Sequence, residues 1–386
     1  MKTPVYLDYM ATTPIDPRVI ESMLTAMGPT GNYGNPSSVQ HAFGQRAACA
    51  VNVAREQIAN AVGATAPDII FTSGATEANN LALLGGANFY QRSGKHIITL
   101  TTEHKAVLDT MDHLSKTGFE ITYLNPCTNG LLDIDTLSAA LRPDTILVSV
   151  MHVNNEIGVI QDIAAIGDLL RGKGIIFHVD AAQSAGKIPI NLSQLSVDLM
   201  SFSAHKNYGP KGIGALYVRH KPRIRLQAQS WGGGQENGLR AGTLPTHQII
   251  GMGLAFFLSE SERNTEQVYL RTLANKLWNG IRDLPGIVLH GHPTQRVAGN
   301  LNFSLPGIDG ADLLPAIMDN IAVSSQSACA SASGQPSYVL RALGVDAPRA
   351  RSAIRLSVGR FTTDEDIQYA IGVLCSTLSR LQNISR

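Results

Sequence analysis

Short apolar runs alternate with amphipathic stretches from residue 69 to 219, and that rhythm sets the fold class. Ile69–Thr72, 96–100, 119–124, Thr145–Met151, 174–179 and 197–202 read as strands. The spacing between them predicts helices over Ala75–Tyr90, about 105–115, 133–141 and about 163–171. A run as continuously apolar as Thr145–Met151 is buried on both faces. The alternation therefore predicts an α/β fold, a mostly parallel sheet covered by helices on both sides. From about residue 250 the pattern changes. A long helical stretch, roughly 248–278, precedes shorter strands and helices, which predicts a smaller α+β domain at the C-terminal end. The expected division is a large domain over 16–259 and a small one formed by 1–15 with 260–386.

Sheets of this kind bind ligands beyond the carboxyl ends of their strands. The residues after each run are therefore the candidate chemistry. After Ile69–Thr72 comes Ser73-Gly74-Ala75-Thr76-Glu77. A helix opening there offers free N–H groups and a positive dipole end to an anion. Ordinary N-capping by Ser73 or Thr76 explains the same residues equally well. After 96–100 comes His104, suited to stacking on an aromatic cofactor and to moving a proton near neutral pH, or to a structural role. After Thr145–Met151 come Asn154 and Asn155, which fit a tight turn and also offer amide donors to a ligand.

Asp180 closes the run 174–179, with Gln183 three residues on. A carboxylate ending a buried strand needs a partner. A pyridinium nitrogen suits it, and capping of the next segment is the alternative. Lys206 follows 197–202 in Ser203-Ala204-His205-Lys206, ahead of a glycine-rich turn. An amine in apolar surroundings loses basicity and becomes a nucleophile for carbonyl compounds, and Schiff-base formation with pyridoxal phosphate is its commonest use. Each of these signals is weak alone. Together they place polar groups at four strand ends beside a candidate Schiff-base lysine, on one rim of the sheet.

Composition narrows the class. Among 386 residues, 31 Lys+Arg face 30 Asp+Glu, so no basic field for direct nucleic-acid binding exists. The longest apolar runs are too short to cross a bilayer, and the N-terminus lacks the apolar core of a signal peptide. A cytoplasmic enzyme is expected. The four cysteines form no C-x-x-C pair, so no resident metal set is predicted. Cys49 and Cys375 lie in apolar helical stretches and read as core, and Cys127 lies in a turn. Cys329 differs: its neighbours Ser327, Ala328, Ala330 and Ser331 are all small or polar, which suggests a mobile, accessible loop where a thiolate can react. Arg355, in a strand-like run, needs a buried anion; a substrate carboxylate or an internal salt bridge would serve.

The motif set resembles the NifS/IscS cysteine desulfurases, nearly end to end and in order. It comprises Tyr6-Leu7-Asp8, Asn35-Pro36-Ser37-Ser38, Ser73-Gly74-Ala75-Thr76-Glu77, His152-Val153-Asn154-Asn155-Glu156, Val179-Asp180, Ser203-Ala204-His205-Lys206 and Arg240-Ala241-Gly242-Thr243. The Ser327-Ala328-Cys329 context resembles the long-loop branch. The resemblance implies the fold type I, aspartate aminotransferase-like architecture and a pyridoxal 5'-phosphate cofactor held by Lys206. It also implies that Asp180 meets the ring nitrogen, Gln183 the ring oxygen and His104 the ring face. Ala75, Thr76, Ser203 and His205 would hold the phosphate, and Thr243 that of the other subunit of a homodimer. Asn155 and Arg355 would hold L-cysteine, and Cys329 would accept its sulfur before passing it to an acceptor such as an iron–sulfur scaffold. Cys329 is also a candidate transient iron–sulfur ligand.

The implied function is removal of sulfur from L-cysteine through a pyridoxal phosphate aldimine. The products are L-alanine and a Cys329 persulfide, which would supply iron–sulfur assembly or tRNA thiolation. Another lyase of this cofactor, such as selenocysteine lyase, or an aminotransferase, would need no Cys329. A catalytically feeble assembly platform would need neither Lys206 nor Asp180.

Overall fold

A computed structural model of the chain describes residues 4–305, 308, 310–324 and 336–384. Cys329 and the segment around it lie outside the described residues, as does the loop expectation made for them.

A two-residue strand, β1 (Val5–Tyr6), opens the chain. Seven strands then form one sheet: β2 (Ile69–Thr72), β3 (His96–Leu100), β4 (Glu120–Leu124), β5 (Thr145–Met151), β6 (Ile176–Asp180), β7 (Leu199–Ser203) and β8 (Gly214–Val218). Their order is β2-β8-β7-β6-β5-β3-β4. Only β8 runs against its neighbours; the other pairings are parallel. The carboxyl ends of β2, β7, β6, β5 and β3 therefore share one rim.

The continuous apolar runs are explained by burial on both faces. Ile70, Ile97, Leu147, Ile176, Leu199 and Leu216 enter a core beneath helix Ala75–Tyr90. Phe71, Ile98, Val148, Phe177, Met200 and Ala215 enter the opposite core. Each adjacent pair splits between the two, as a period-two chain requires. Fully burying each such side chain stabilises by about 1.5–3 kcal/mol.

Helix Thr246–Ile281 serves two cores. Ile249, Met252 and Phe256 pack under the large sheet, whereas Leu270, Leu273, Leu277 and Ile281 pack with a second cluster. That cluster covers a three-stranded antiparallel sheet of β9 (Val288–Leu289), β10 (Asn300–Ser304) and β12 (Ala353–Ser357). The N-terminus joins it: β1 pairs in parallel with β11 (Ile321–Ala322), and Leu7 is fully buried there.

Two sequence expectations need correction. Cys49 is exposed, not core, because helix Ala42–Ala61 buries Ala47, Val51, Ala54 and Ile58 and turns Cys49 away. Cys375 is only partly buried, at the margin of the second cluster. Cys127 is exposed in its turn. None of the described helices is long and apolar enough to cross a membrane.

Candidate active site

A cavity of about 440 Å³ opens at the shared rim, lined among others by Ala75, Thr76, His104, Asn155, Asp180, Gln183, Ser203, His205, Lys206 and Arg355. Each wall residue owes its place to the strand or turn before it. Asp180 shares a strand face with Ile176 and His178, the face covered by helix Ala75–Tyr90. From that helix the buried Asn79 Nδ2 donates to Asp180 Oδ2 at 2.7 Å, and the Ala182 N–H donates to Oδ1 at 2.9 Å. The local capping held open as the alternative for Asp180 is thus present, and the carboxylate lines the cavity as well.

Helix Ala75–Tyr90 starts without a side-chain cap. Neither Ser73 nor Thr76 provides one; Ser73 instead donates its N–H to Glu77 Oε2 at 2.7 Å. Gly74 has φ +155°, and a Cβ there would meet nothing within 4 Å, so the backbone lies open at the cavity. Opposite, Ser203 Oγ is buried with no partner among the described residues. His205 Nδ1 lies 3.1 Å from Thr12 Oγ1. Burial, reinforced by Lys206, Lys211 and Lys187, pushes its pKa down to about 4, so the ring is neutral.

Lys206 Nζ donates to the carbonyls of Met10 at 2.8 Å and Ala11 at 2.7 Å, which fix the amine at the cavity edge. His104 caps helix Lys105–Lys116: its Nδ1 accepts the Ala106 N–H at 3.1 Å. Burial, with Lys206 adding, lowers its pKa. The neutral ring therefore carries its proton on Nε2.

Arg355, in β12, is 2% exposed. Its Nη1 donates to Asn155 O at 2.7 Å, and its Nη2 to Asp8 Oδ1 at 2.7 Å and Ser324 Oγ at 3.1 Å. The internal ion pair considered from sequence is therefore present. Nε remains without a partner among the described residues, as does Asn155 Oδ1. Thr243 is exposed and does not line this cavity. Its motif approaches through Arg240, whose Nε donates to Glu77 Oε1 at 2.9 Å.

Sequence reasoning missed Asn79 and the Asp8 contact to Arg355. An asparagine among Ala78, Leu81 and Ala82 on a buried helix face was the signal for the first. The Met10 and Ala11 carbonyls left none.

Pyridoxal phosphate needs an amine for its aldehyde, a carboxylate for its ring nitrogen and donors for its phosphate. Lys206, Asp180 and the uncapped helix start with unpartnered Ser203 Oγ supply all three around one cavity. The residues present fit the group.

Comparison with known proteins gives the same result. The aminotransferase class-V family model matches residues 5–370. The chain is 59% identical over 385 residues to a protein of Klebsiella pneumoniae named cysteine desulfurase IscS, covering 100% of this chain and 95% of that one. A solved NifS-like protein superposes with a TM-score of 0.89 at 35% identity, covering 99% of each chain. A structure described as SspA in complex with cysteine superposes at 0.82 with 36% identity, covering 93% of this chain and 99% of that one. With likeness this complete, and a cavity furnished for the cofactor, the chain belongs to the aminotransferase class-V family and, within it, to the pyridoxal phosphate-dependent cysteine desulfurases.

Proposed function

We propose that this enzyme takes sulfur from L-cysteine onto Cys329, releases L-alanine and passes the sulfur to an acceptor protein for iron–sulfur cluster assembly or tRNA thiolation. The observation that carries the reading is one cavity uniting the Lys206 amine, the Asp180 carboxylate, an uncapped helix start and the Arg355 guanidinium. When bound, the cofactor supplies an electron sink for a broken Cα–H bond. Ala75, Thr76, Ser203 and His205 would hold its phosphate, Asp180 would face its ring nitrogen, Gln183 its ring oxygen and His104 its ring face.

Arg355 receives the substrate carboxylate through Nε–H and the Nη1 hydrogen that Asn155 O leaves free, both Nη2 hydrogens being held by Asp8 and Ser324. Asn155 Oδ1 is an acceptor beside it. Lys206 Nζ, at the cavity edge, would take the Cα proton. His104 Nε2–H is a neutral donor at the same wall. The Cys329 thiolate attacks the substrate sulfur and forms a persulfide; the carbon–sulfur bond breaks with its electron pair left on carbon, a proton adds at Cβ, and the proton held on Lys206 returns to Cα to give alanine.

Two further assignments belong to this reading. The domain division falls within helix Thr246–Ile281, near residue 259, where its apolar side chains change from one core to the other. The enzyme is a cytoplasmic homodimer. Ile20, Leu24 and Met27 expose one apolar stretch, Trp231 is 79% exposed, and Thr243 stands outside its own cavity, free to reach the phosphate of a second subunit. Product analysis tests the activity: L-cysteine with a reductant should yield alanine and sulfide in equal amounts, and Lys206→Ala should yield neither. Pyruvate with ammonia, or a keto acid balance typical of transamination, would overturn it.

A further inference from the structure

Lys187 has no part in the chemistry above, yet it is wired to it. The turn after Asp180 carries Gln183 and Lys187 one helical turn apart, with Lys187 N–H donating to Ser184 O. Gly186 makes the bend at φ +76°, and a Cβ there would lie 2.1 Å from Asn207 Oδ1, so only glycine lets this turn close against the residue beside Lys206. Lys187 Nζ then reaches Gln183 Oε1 at 3.0 Å and Met10 Sδ at 3.9 Å. Gln183 Nε2 donates to Met10 O at 2.8 Å, the carbonyl that also accepts Lys206 Nζ.

A glutamine amide is nearly symmetric in shape, so packing alone does not select which end faces a ligand. An ammonium does select: it has three donors and no acceptor, and tolerates only the oxygen. We infer that Lys187 is a positioning residue for the cofactor, holding the Gln183 oxygen away from the cavity so that the amide presents N–H to the ring oxygen. The inference rests on the reading that Gln183 faces that ring. One Gln183 N–H goes to Met10 O, and the other is left for the cavity that Gln183 lines. A flipped amide would set carbonyl oxygen against ring oxygen and against Met10 O.

The charges around Lys187 agree with a held, responsive group. Lys206 and Arg355 oppose its charge and Glu266 favours it. Burial is the largest influence, and the amine falls to about 7. Neutral, it could also accept from Gln183 Nε2, and the selection would weaken.

The test uses the apoenzyme titrated with pyridoxal phosphate, reading the dissociation constant by absorbance, and the pH midpoint of the bound cofactor's spectrum. Gln183→Ala and Lys187→Met should each weaken binding roughly tenfold, the size of one lost charge-assisted bond. Both should move the spectral midpoint in the same direction. The double variant should be no worse than Gln183→Ala alone, because Lys187 acts through Gln183. Lys187→Arg, also a pure donor, should restore affinity. Lys187→Gln, which can donate or accept, should behave like Lys187→Met and replaces it if that variant does not fold. An unchanged Lys187→Met beside a weakened Gln183→Ala overturns the inference, as does a double variant whose loss is the product of the two. An unchanged Gln183→Ala overturns instead the placement of Gln183 at the ring.

Discussion

Asn79→Leu should damage cofactor binding and turnover while leaving the fold largely intact. Asn79 is fully buried, and its Nδ2 gives Asp180 Oδ2 a hydrogen bond of 2.7 Å. Its Oδ1 has no partner among the described residues, so leucine, with the same branching and number of heavy atoms, forfeits one known bond, and the group that loses a donor is Asp180 Oδ2. A hydrogen bond to a carboxylate contributes about 1.5–3 kcal/mol. Loss of it destabilises the ionised form of Asp180, the form that keeps the ring nitrogen protonated. At about 1.4 kcal/mol per decade, that amounts to a fall of roughly 10- to 100-fold in cofactor affinity, in kcat/KM, or divided between them. Thermal unfolding of the apoenzyme checks the fold, absorbance titration the affinity, and alanine release the turnover. The apoenzyme Tm should move by only a few degrees. Affinity and turnover both within twofold of the parent, with Asp180→Asn inactive, would refute the claim that Asn79 sustains the Asp180 charge.

Arg355→Lys keeps a cation against Asp8 but loses the fork, so it should fold and raise KM for L-cysteine by about 10- to 100-fold with a smaller effect on kcat; an unchanged KM would remove Arg355 from substrate binding. Stability should depend on pH through histidines held neutral. Burial lowers His152, His178, His205 and His290 from 6.5 to about 4. Depressed values favour the fold above the unfolded pKa and withdraw that support as pH falls toward the folded one. Tm should be flat above about pH 7 and decline between 6.5 and 4, with a shallower decline in His178→Gln; a Tm constant across that window would contradict the assignment.

The strands were legible because both faces of the sheet are covered, so β5 and β6 are mostly apolar, broken inside only by Ser149 and His178, which hydrogen-bond each other. Asp180 and Lys206 were legible for the complementary reason: ionisable groups at or just after the ends of buried strands carry a desolvation cost that calls for a partner. Side-chain direction was not. Cys49 lies in an apolar helical context but on the outward face, which a run of alanines does not distinguish. Ser73 and Thr76 have cap chemistry, yet the helix begins with an open backbone, since the N-cap position falls on Gly74, which has no side chain, and leaves Ser73 one residue before it and Thr76 inside the first turn. Asp8 acts through a contact fixed by the tertiary fold: it reaches Arg355 across 347 positions of sequence. No local pattern reports such a pairing.

The central claim is that sulfur passes through Cys329. Mass spectrometry of the loaded enzyme after one equivalent of L-cysteine, without reductant, reads it directly. The account predicts one added sulfur atom on the peptide containing Cys329, one alanine released per active site, and neither in a Cys329→Ala protein that still binds the cofactor. Alanine release from Cys329→Ala at the parental rate, or the added sulfur on Cys49, Cys127 or Cys375 instead, would contradict it.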